Sequence, residues 1–502
     1  MIIGKHLIAG QWRDGTEQFS SRLLNGQLNN FENCTQQLVN EAARAAEQAF
    51  QSYAQTTSQQ RADFLRTIAS EINKRGDQIT HIGHQETGLP VARLIGERAR
   101  TTAQLEMFAT HLEKKEYLDI HHDQALPNRE PLARPDLKRM MRPFGPVAVF
   151  GASNFPLAFS TAGGDTASAL AAACPVIVKA HPSHPATSDL VAQAILAAIE
   201  KCKIDPGVFS LLQDSSYDTA QQLVQHPAIT AVGFTGSEAG GRYLFDLCVQ
   251  RPTPIPFYGE MGSINPVFVL DHALSQSTEN LATGWAASLT LGVGQFCTNP
   301  SVLIVPKGDI GDRLSQLIVE KLSEVEPEIM LSDSIANSYQ TAAKKLAASN
   351  DTQVLYEDPC HNRQGAPYLF TTSAKNWLNN SDLQHEVFGP AGIIVRTESF
   401  DEMLAIAHSI QGQLTATLHI EKEDYPQAKA LLDILEHKAG RILSNGFPTG
   451  VEVCDSMVHG GPYPAATFKG TTSVGSYAIQ RFLRPVCYQN IPTELLPIEL
   501  QL

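Results

Sequence analysis

The sequence predicts an α/β protein: two doubly wound sheets, with extended β arms outside them. Three observations predict it. Short apolar runs alternate with helix-length segments from Val147 onward, the pattern of parallel strands joined by crossover helices. The alternation comes in two series. A polar, Pro-bearing stretch at 121–135 has few residues that could anchor a core alone, and the Pro-bearing segment at the C-terminal end reads as extended. A chain of 502 residues has ample length for more than one core.

In chain order, the first 118 residues read as helical. Apolar and Ala positions recur at helical spacing over Gln37–Thr56, Ser58–Thr87 and Ala92–Tyr117. His121 to Pro135 reads as an extended arm or hairpin leading into Asp136–Met141. The first strand series is Val147–Phe150, Val176–Val178, Phe209–Leu212 and Ala231–Phe234. The second is Pro266–Leu270, Val302–Val305, Ile393–Val395, Thr415–Ile420 and Gly440–Leu443. Val486–Leu502 reads as a second arm.

Composition narrows the function classes. Hydrophobic residues make up 43% and charged residues 18%, and the formal net charge is −14. An acidic chain gives no electrostatic support to binding nucleic acid or an anionic membrane. There is no run of 18 apolar residues to span a bilayer. The N-terminus lacks the pattern of a secretory leader, so a cytoplasmic protein is expected. Eight Cys stand at 34, 174, 202, 248, 297, 360, 454 and 487. None forms a Cys-x-x-Cys pair or a zinc-type spacing with His, so free thiols and no metal site are expected.

Three residues carry the chemistry of a covalent acyl-transfer site: a thiol to attack, a carboxylate to activate water and an amide to hold an oxyanion. Cys297 follows Gly292-Val293-Gly294-Gln295-Phe296 at a helix-to-loop transition. Taken alone it also reads as a buried structural thiol, as Cys174 and Cys248 do. Glu260 lies among apolar and Gly residues, where burial would raise its pKa and suit it to proton transfer; a surface turn carboxylate is the alternative. Asn154 follows an apolar strand, placed to aim its amide into a ligand crevice or to cap a turn.

Lys179 ends a strand, and either reaches a nucleotide or is solvated at a sheet edge. Gly236-Ser237 opens a helix whose N–H groups would favour phosphate. No Walker A loop and no Gly-x-Gly-x-x-Gly follows a strand. Glu386 and Phe388, before Gly389-Pro390, suit a ribose and a flat ring, or form a loop with one buried Phe.

Gly294-Gln295-Phe296-Cys297, Glu260-Met261-Gly262-Ser263, Ser153-Asn154-Phe155-Pro156, Phe234-Thr235-Gly236-Ser237 and Glu386-Val387-Phe388-Gly389-Pro390, in this arrangement over nearly the whole chain, resemble the aldehyde dehydrogenase superfamily. The resemblance implies a Rossmann-like NAD(P)-binding domain (1–120 and 143–258), a catalytic domain (259–483) and an oligomerisation arm (121–142 and 484–502) that makes a homodimer or homotetramer. It makes Cys297 the nucleophile, Asn154 an oxyanion donor and Glu260 the activator of water. Lys179, Ser183, Gly236, Ser237, Glu386 and Phe388 would hold the cofactor, and Phe155, Phe296 and His459 would line the substrate side.

Many NAD-preferring members carry Glu three residues after the Lys. Here Pro182 stands there, which admits a 2′-phosphate and implies NADP, with NAD possible. A longer Ser160–Thr166 segment, with His459–Pro464 and Arg481–Val486, is similar to the branch holding 2,5-dioxovalerate (α-ketoglutaric semialdehyde) dehydrogenases and a bacterial fatty-aldehyde dehydrogenase. The expected substrate is the small oxo-acid semialdehyde. Its distal acid needs a cation, and Arg142, Arg441 and Arg481 are the candidates. A fatty aldehyde is the alternative, against which the Gly/Pro-rich loop 446–464 offers no evident apolar wall. A CoA-acylating variant is disfavoured by Glu260. The different class is a cofactor-independent thiol hydrolase, for which His385 would be the nearby base.

Overall fold

The structure, a computed structural model, describes residues 1–501. Before the helices come four short strands that the helical reading of the first 118 residues missed: β1 (His6–Ile8), β2 (Gln11–Arg13), β3 (Gln18–Arg22) and β4 (Leu28–Glu32). They are short and mostly polar, so no period-2 apolar signal announces them. Helices α1 (Gln36–Tyr53), α2 (Ser58–Lys74), α3 (Gly76–Thr87) and α4 (Val91–Lys114) follow. The expected Ser58–Thr87 helix is two, divided at Arg75.

Strands β5 (His121–Asp123) and β6 (Leu137–Pro143) precede an alternating run: β7 (Val147–Phe150), α5 (Gly164–Ala171), β8 (Val176–Lys179), α6 (Pro185–Cys202), β9 (Phe209–Leu212), α7 (Asp218–Gln225), β10 (Ala231–Thr235), α8 (Glu238–Val249) and β11 (Phe257–Glu260). The sheet order is β11-β10-β7-β8-β9-β1-β2, and the strands from β11 to β9 are parallel. These strands are buried on both faces, which explains their unbroken apolar runs. Val147, Val149, Val176 and Val178 enter one core with α2, α4 and α6. Ala148, Phe150 and Ile177 enter the other with α1 and α7. The chain leaves β7 toward β8 and later returns on its other side to β10. The crevice beyond the strand ends at such a reversal is where open α/β sheets bind ligands.

The second alternating run comprises β12 (Val267–Val269), α9 (Asp271–Thr290), β13 (Val302–Pro306), α10 (Asp309–Leu322), β14 (Glu328–Ile329), α11 (Asp333–Ala347), β15 (Gln353–Glu357), β16 (Gln364–Gly365), β17 (Tyr368–Ser373), α12 (Ala374–Asn379), β18 (Ala391–Thr397), α13 (Phe400–Ser409), β19 (Gln413–His419), α14 (Tyr425–Leu435) and β20 (Ala439–Ser444). Its sheet runs β15-β17-β18-β13-β12-β19-β20, parallel except that β15 lies antiparallel on β17. The sequence did not announce β11, β15 or β17, which carry Gly, Glu, Gln or Thr-Thr-Ser within them. Finally β21 (Leu483–Gln489) pairs antiparallel with β6, so both arm segments share the sheet β21-β6-β5.

One buried ion pair ties the chain before β21 to α5. Arg481 donates to Asp165 at 2.5 Å, with both side chains under a tenth exposed. Removing one partner strands the other charge. Arg481→Met is expected to cost about 3–5 kcal/mol, read as a lower melting temperature. Converting Asp165 to Leu in the same protein should recover part of the loss.

Candidate active site

The loop after α9 carries Cys297. Gly292, Val293 and Gly294 have φ of 58°, 59° and 65°, a left-handed run that Gly tolerates best. A Cβ on Gly294 would lie 2.3 Å from the Gly389 carbonyl carbon, so only Gly lets this loop press against Gly389-Pro390. Asn265 then fixes the thiol's backbone. Its Nδ2 donates to the carbonyls of Cys297 and Asn299, each at 2.9 Å.

Cys297 Sγ lies 3.4 Å from His459 Nε2, and that nitrogen lies 2.9 Å from Glu260 Oε1. Ser473 Oγ donates to Glu260 Oε2 at 2.7 Å. Glu260, His459 and Ser473 are each at most 2% exposed, so Glu260 is no surface carboxylate. Its pKa is not raised, contrary to expectation. Burial does push it up, but the His459 imidazole, the Ser473 hydroxyl and Cys297 together hold it below the ordinary carboxylate value. The thiol goes the other way: burial, then the adjacent Glu260 carboxylate, push Cys297 well above its usual value. The resting pair is a thiol beside a carboxylate, bridged by an imidazole. Among the described residues these three donors are also the one group close enough to hold a metal ion, within 4.8 Å of one another.

Asn154 is buried beside them. Its Nδ2 donates to the Gln295 carbonyl at 2.9 Å, and its own carbonyl accepts from Arg93 at 2.7 Å. One amide hydrogen remains for a ligand oxygen. Phe155 meets Phe296 edge-on at 5.6 Å and Phe159 at 5.4 Å, and the Phe159 ring lies 6.0 Å from that of His459. Val451, Val453 and Met457 pack on the same cluster. The loop 446–464 therefore does build an apolar wall, contrary to expectation, because its three apolar side chains converge although they are scattered in sequence. His459, expected on the substrate side, contacts the thiol itself. His385 is exposed, and the imidazole beside Cys297 is that of His459.

Of the remaining residues, Lys179 ends β8 and Gly236-Ser237 follow β10, at the crevice end of the first sheet. Lys179 is 9% exposed on a central strand, with Nζ donating to the Asp214 carbonyl at 2.7 Å; it is not a solvated edge residue. Ser237 caps α8 through Gly240 N–H, and Gly236 donates to the Glu260 carbonyl. Ser183 lies in a turn, its N–H on His181 Nδ1. Phe388 packs against Leu89, Leu94 and Leu331, a loop aromatic with an apolar seat. Glu386 borders a cavity of about 230 Å³ with Glu238, Gly262, Ser263 and Gln413.

Burial pushes Glu386 up to about 8. An acid that keeps its proton longer in the folded protein than its ordinary 4.5 contributes stability that is fully present below pH 4.5 and lost as pH rises through 8. Glu386→Gln removes that loss. Its stability relative to the parent should grow from pH 5 to pH 9, measured by urea melts at both.

Sequence reasoning missed Ser473, Arg93 and Asn265. Arg93 and Ser473 lie far in sequence from the motifs they serve, and no spacing points to them.

The sequence matches the aldehyde dehydrogenase family over residues 14–484. The chain belongs to this family, whose chemistry takes an aldehyde to the acid. More particularly, it is 49% identical to alpha-ketoglutaric semialdehyde dehydrogenase 2 of Azospirillum brasilense, over 92% of this chain and 89% of that protein. It is 47% identical to alpha-ketoglutaric semialdehyde dehydrogenase of Acinetobacter baylyi, over 93% and 89%. Its fold matches the aldehyde dehydrogenase KauB of Pseudomonas aeruginosa, at TM-score 0.82 and 19% identity over 97% of each chain. It also matches a betaine aldehyde dehydrogenase of Staphylococcus aureus in complex with NAD+, at TM-score 0.83 and 18% identity over 98% of each.

Proposed function

We propose that this enzyme oxidises α-ketoglutaric semialdehyde (2,5-dioxovalerate) to 2-oxoglutarate through a thioester on Cys297. The observation that carries it is the Sγ–Nε2–carboxylate contact beside the Asn154 amide, and the names of the relatives support the substrate. The thiol loses its proton to solvent, and the His459 Nε2–H, shared between Glu260 and Sγ, steadies the thiolate. The sulfur attacks the aldehyde carbon. The free Asn154 amide hydrogen and the Cys297 N–H hold the oxyanion, each such donor worth about 2.7–4 kcal/mol. A bound nicotinamide supplies the hydride acceptor. Glu260 then draws a proton from water, which displaces the thiol and releases the acid.

The crevice residues suit a dinucleotide. Lys179 is buried at a strand end, with Gly236-Ser237 at a helix N-terminus and Glu386 at the cavity. With Pro182 where an acid would repel a 2′-phosphate, NADP is the favoured cofactor. Residues 1–120 and 143–258 form the nucleotide domain and 259–483 the catalytic domain. The sheet of 121–142 and 484–502 serves as the arm of a homodimer or homotetramer, in the cytoplasm.

The apolar wall of Val451, Val453 and Met457 favours a second reading, a fatty or broad-specificity aldehyde dehydrogenase. A panel of 2,5-dioxovalerate, succinic semialdehyde, glycolaldehyde and long-chain aldehydes, each with NAD and NADP, separates them. The proposal requires the highest kcat/KM for 2,5-dioxovalerate with NADP. Turnover independent of nucleotide would instead indicate the thiol hydrolase.

A further inference from the structure

We infer that Arg100, on α4, is the anchor for the substrate's distal carboxylate. The inference rests on the semialdehyde reading above and deepens it. Arg93, Glu97, Arg100 and Gln104 recur at i, i+4, i+7 and i+11, one face of α4, and that face turns toward the Cys297 pocket. Arg93 is committed to the Asn154 carbonyl. Glu97 Oε1 accepts the N–H groups of Leu157 and Ala158. Arg100 is committed to nothing: among the described residues it has no hydrogen-bond partner, and its Nε and Nη2 are buried.

Its guanidinium stands 5.9 Å from the Phe155 ring and 5.4 Å from the Phe159 ring. Those rings line the path to Cys297: Phe155 meets Phe296, and Phe159 neighbours His459. A desolvated guanidinium without a partner is costly, and a planar carboxylate satisfies two of its N–H groups at once. A cation set off from the sulfur by an aromatic passage fits a short chain with an aldehyde at one end and an acid at the other.

Each rival arginine has a partner or lies elsewhere, although the Nε atoms of Arg441 and Arg481 are buried without one. Arg481 pairs with Asp165, Arg142 lies on β6 of the arm sheet, and Arg441 donates to the Pro448 and Gly450 carbonyls. Burial pulls Arg100 below its usual value, and the charges opposing that pull are those of Cys297, Glu97, Glu260 and Glu452, which sets the guanidinium in the field of the reacting groups.

The test compares 2,5-dioxovalerate with pentanal, an aldehyde of equal chain length without the acid, in the parent, Arg100→Met and Arg100→Lys. In Arg100→Met the ratio of the two kcat/KM values should fall about 100-fold, mostly through KM for the acid. Arg100→Lys should fall less, and guanidinium ion added to Arg100→Ala should restore the acid substrate selectively. An unchanged ratio, or an equal loss on both aldehydes without guanidinium rescue, overturns the assignment. Failure of the substrate reading itself is separate: it shows in the parent, as no preference for 2,5-dioxovalerate over pentanal.

Discussion

Cys297→Ala is expected to lose at least about 10⁴-fold of aldehyde oxidation, the scale seen when a covalent nucleophile is removed, while still binding nucleotide. The reason is local. Cys297 is the thiol that meets the His459 imidazole and the Glu260 carboxylate, and the Asn154 amide holds an oxyanion only if one forms. Cys174 and Cys248 cannot substitute: both are buried in the cores against the first sheet, and burial pushes both up to about 12. Steady-state rates on 2,5-dioxovalerate, with nucleotide binding followed by fluorescence, check both halves. Retained turnover would remove the thioester from the account.

His459→Gln is expected to lower kcat/KM by about 10²–10⁴-fold and to change the pH profile. Cys297 is held well above its usual value, first by burial and then by Glu260. Without the imidazole N–H to steady the thiolate, the sulfur ionises with no donor beside it, and its thiolate fraction rises with every unit of pH through the neutral range. The variant's rate should therefore climb continuously from pH 6 to pH 10. The parent, with the imidazole N–H 3.4 Å from the sulfur, should level off earlier. A variant with the parent's profile at a uniformly lower rate would mean that His459 only props the pocket.

Much of the fold was legible because its central strands are buried on both faces. Val147–Phe150 and Val176–Val178 are uninterrupted apolar runs, and such runs need no partner to be recognised. The strands that stayed hidden are the polar or edge ones: His6–Arg13 at one margin, Gln353–Glu357 at another, and Tyr368–Ser373 with its hydroxyls. Cys297, Glu260 and Asn154 could be picked out because each sits in a short motif at or just past the end of a strand or helix. What the residues do to one another was not legible. Glu260 looks destined for a raised pKa until His459, about 200 residues on, is brought within 2.9 Å. The polar face of α4 misleads in the same way. A charged stripe on a helix reads as solvent-facing, yet Arg93 and Glu97 turn inward on the loop after β7, where Arg93 meets a carbonyl and Glu97 two buried N–H groups.

The account's central claim is an acyl group on one sulfur atom, and it can be caught there. Glu260→Gln leaves the thiol and the Asn154 amide but removes the carboxylate that draws a proton from water. Mixing this variant with 2,5-dioxovalerate and NADP, quenching in acid and weighing the Cys297 peptide should show the mass of the substrate acyl group, with about one reduced nicotinamide released per subunit before the reaction stalls. A burst of reduced nicotinamide with an unmodified Cys297 peptide, or the adduct on another cysteine, would contradict it.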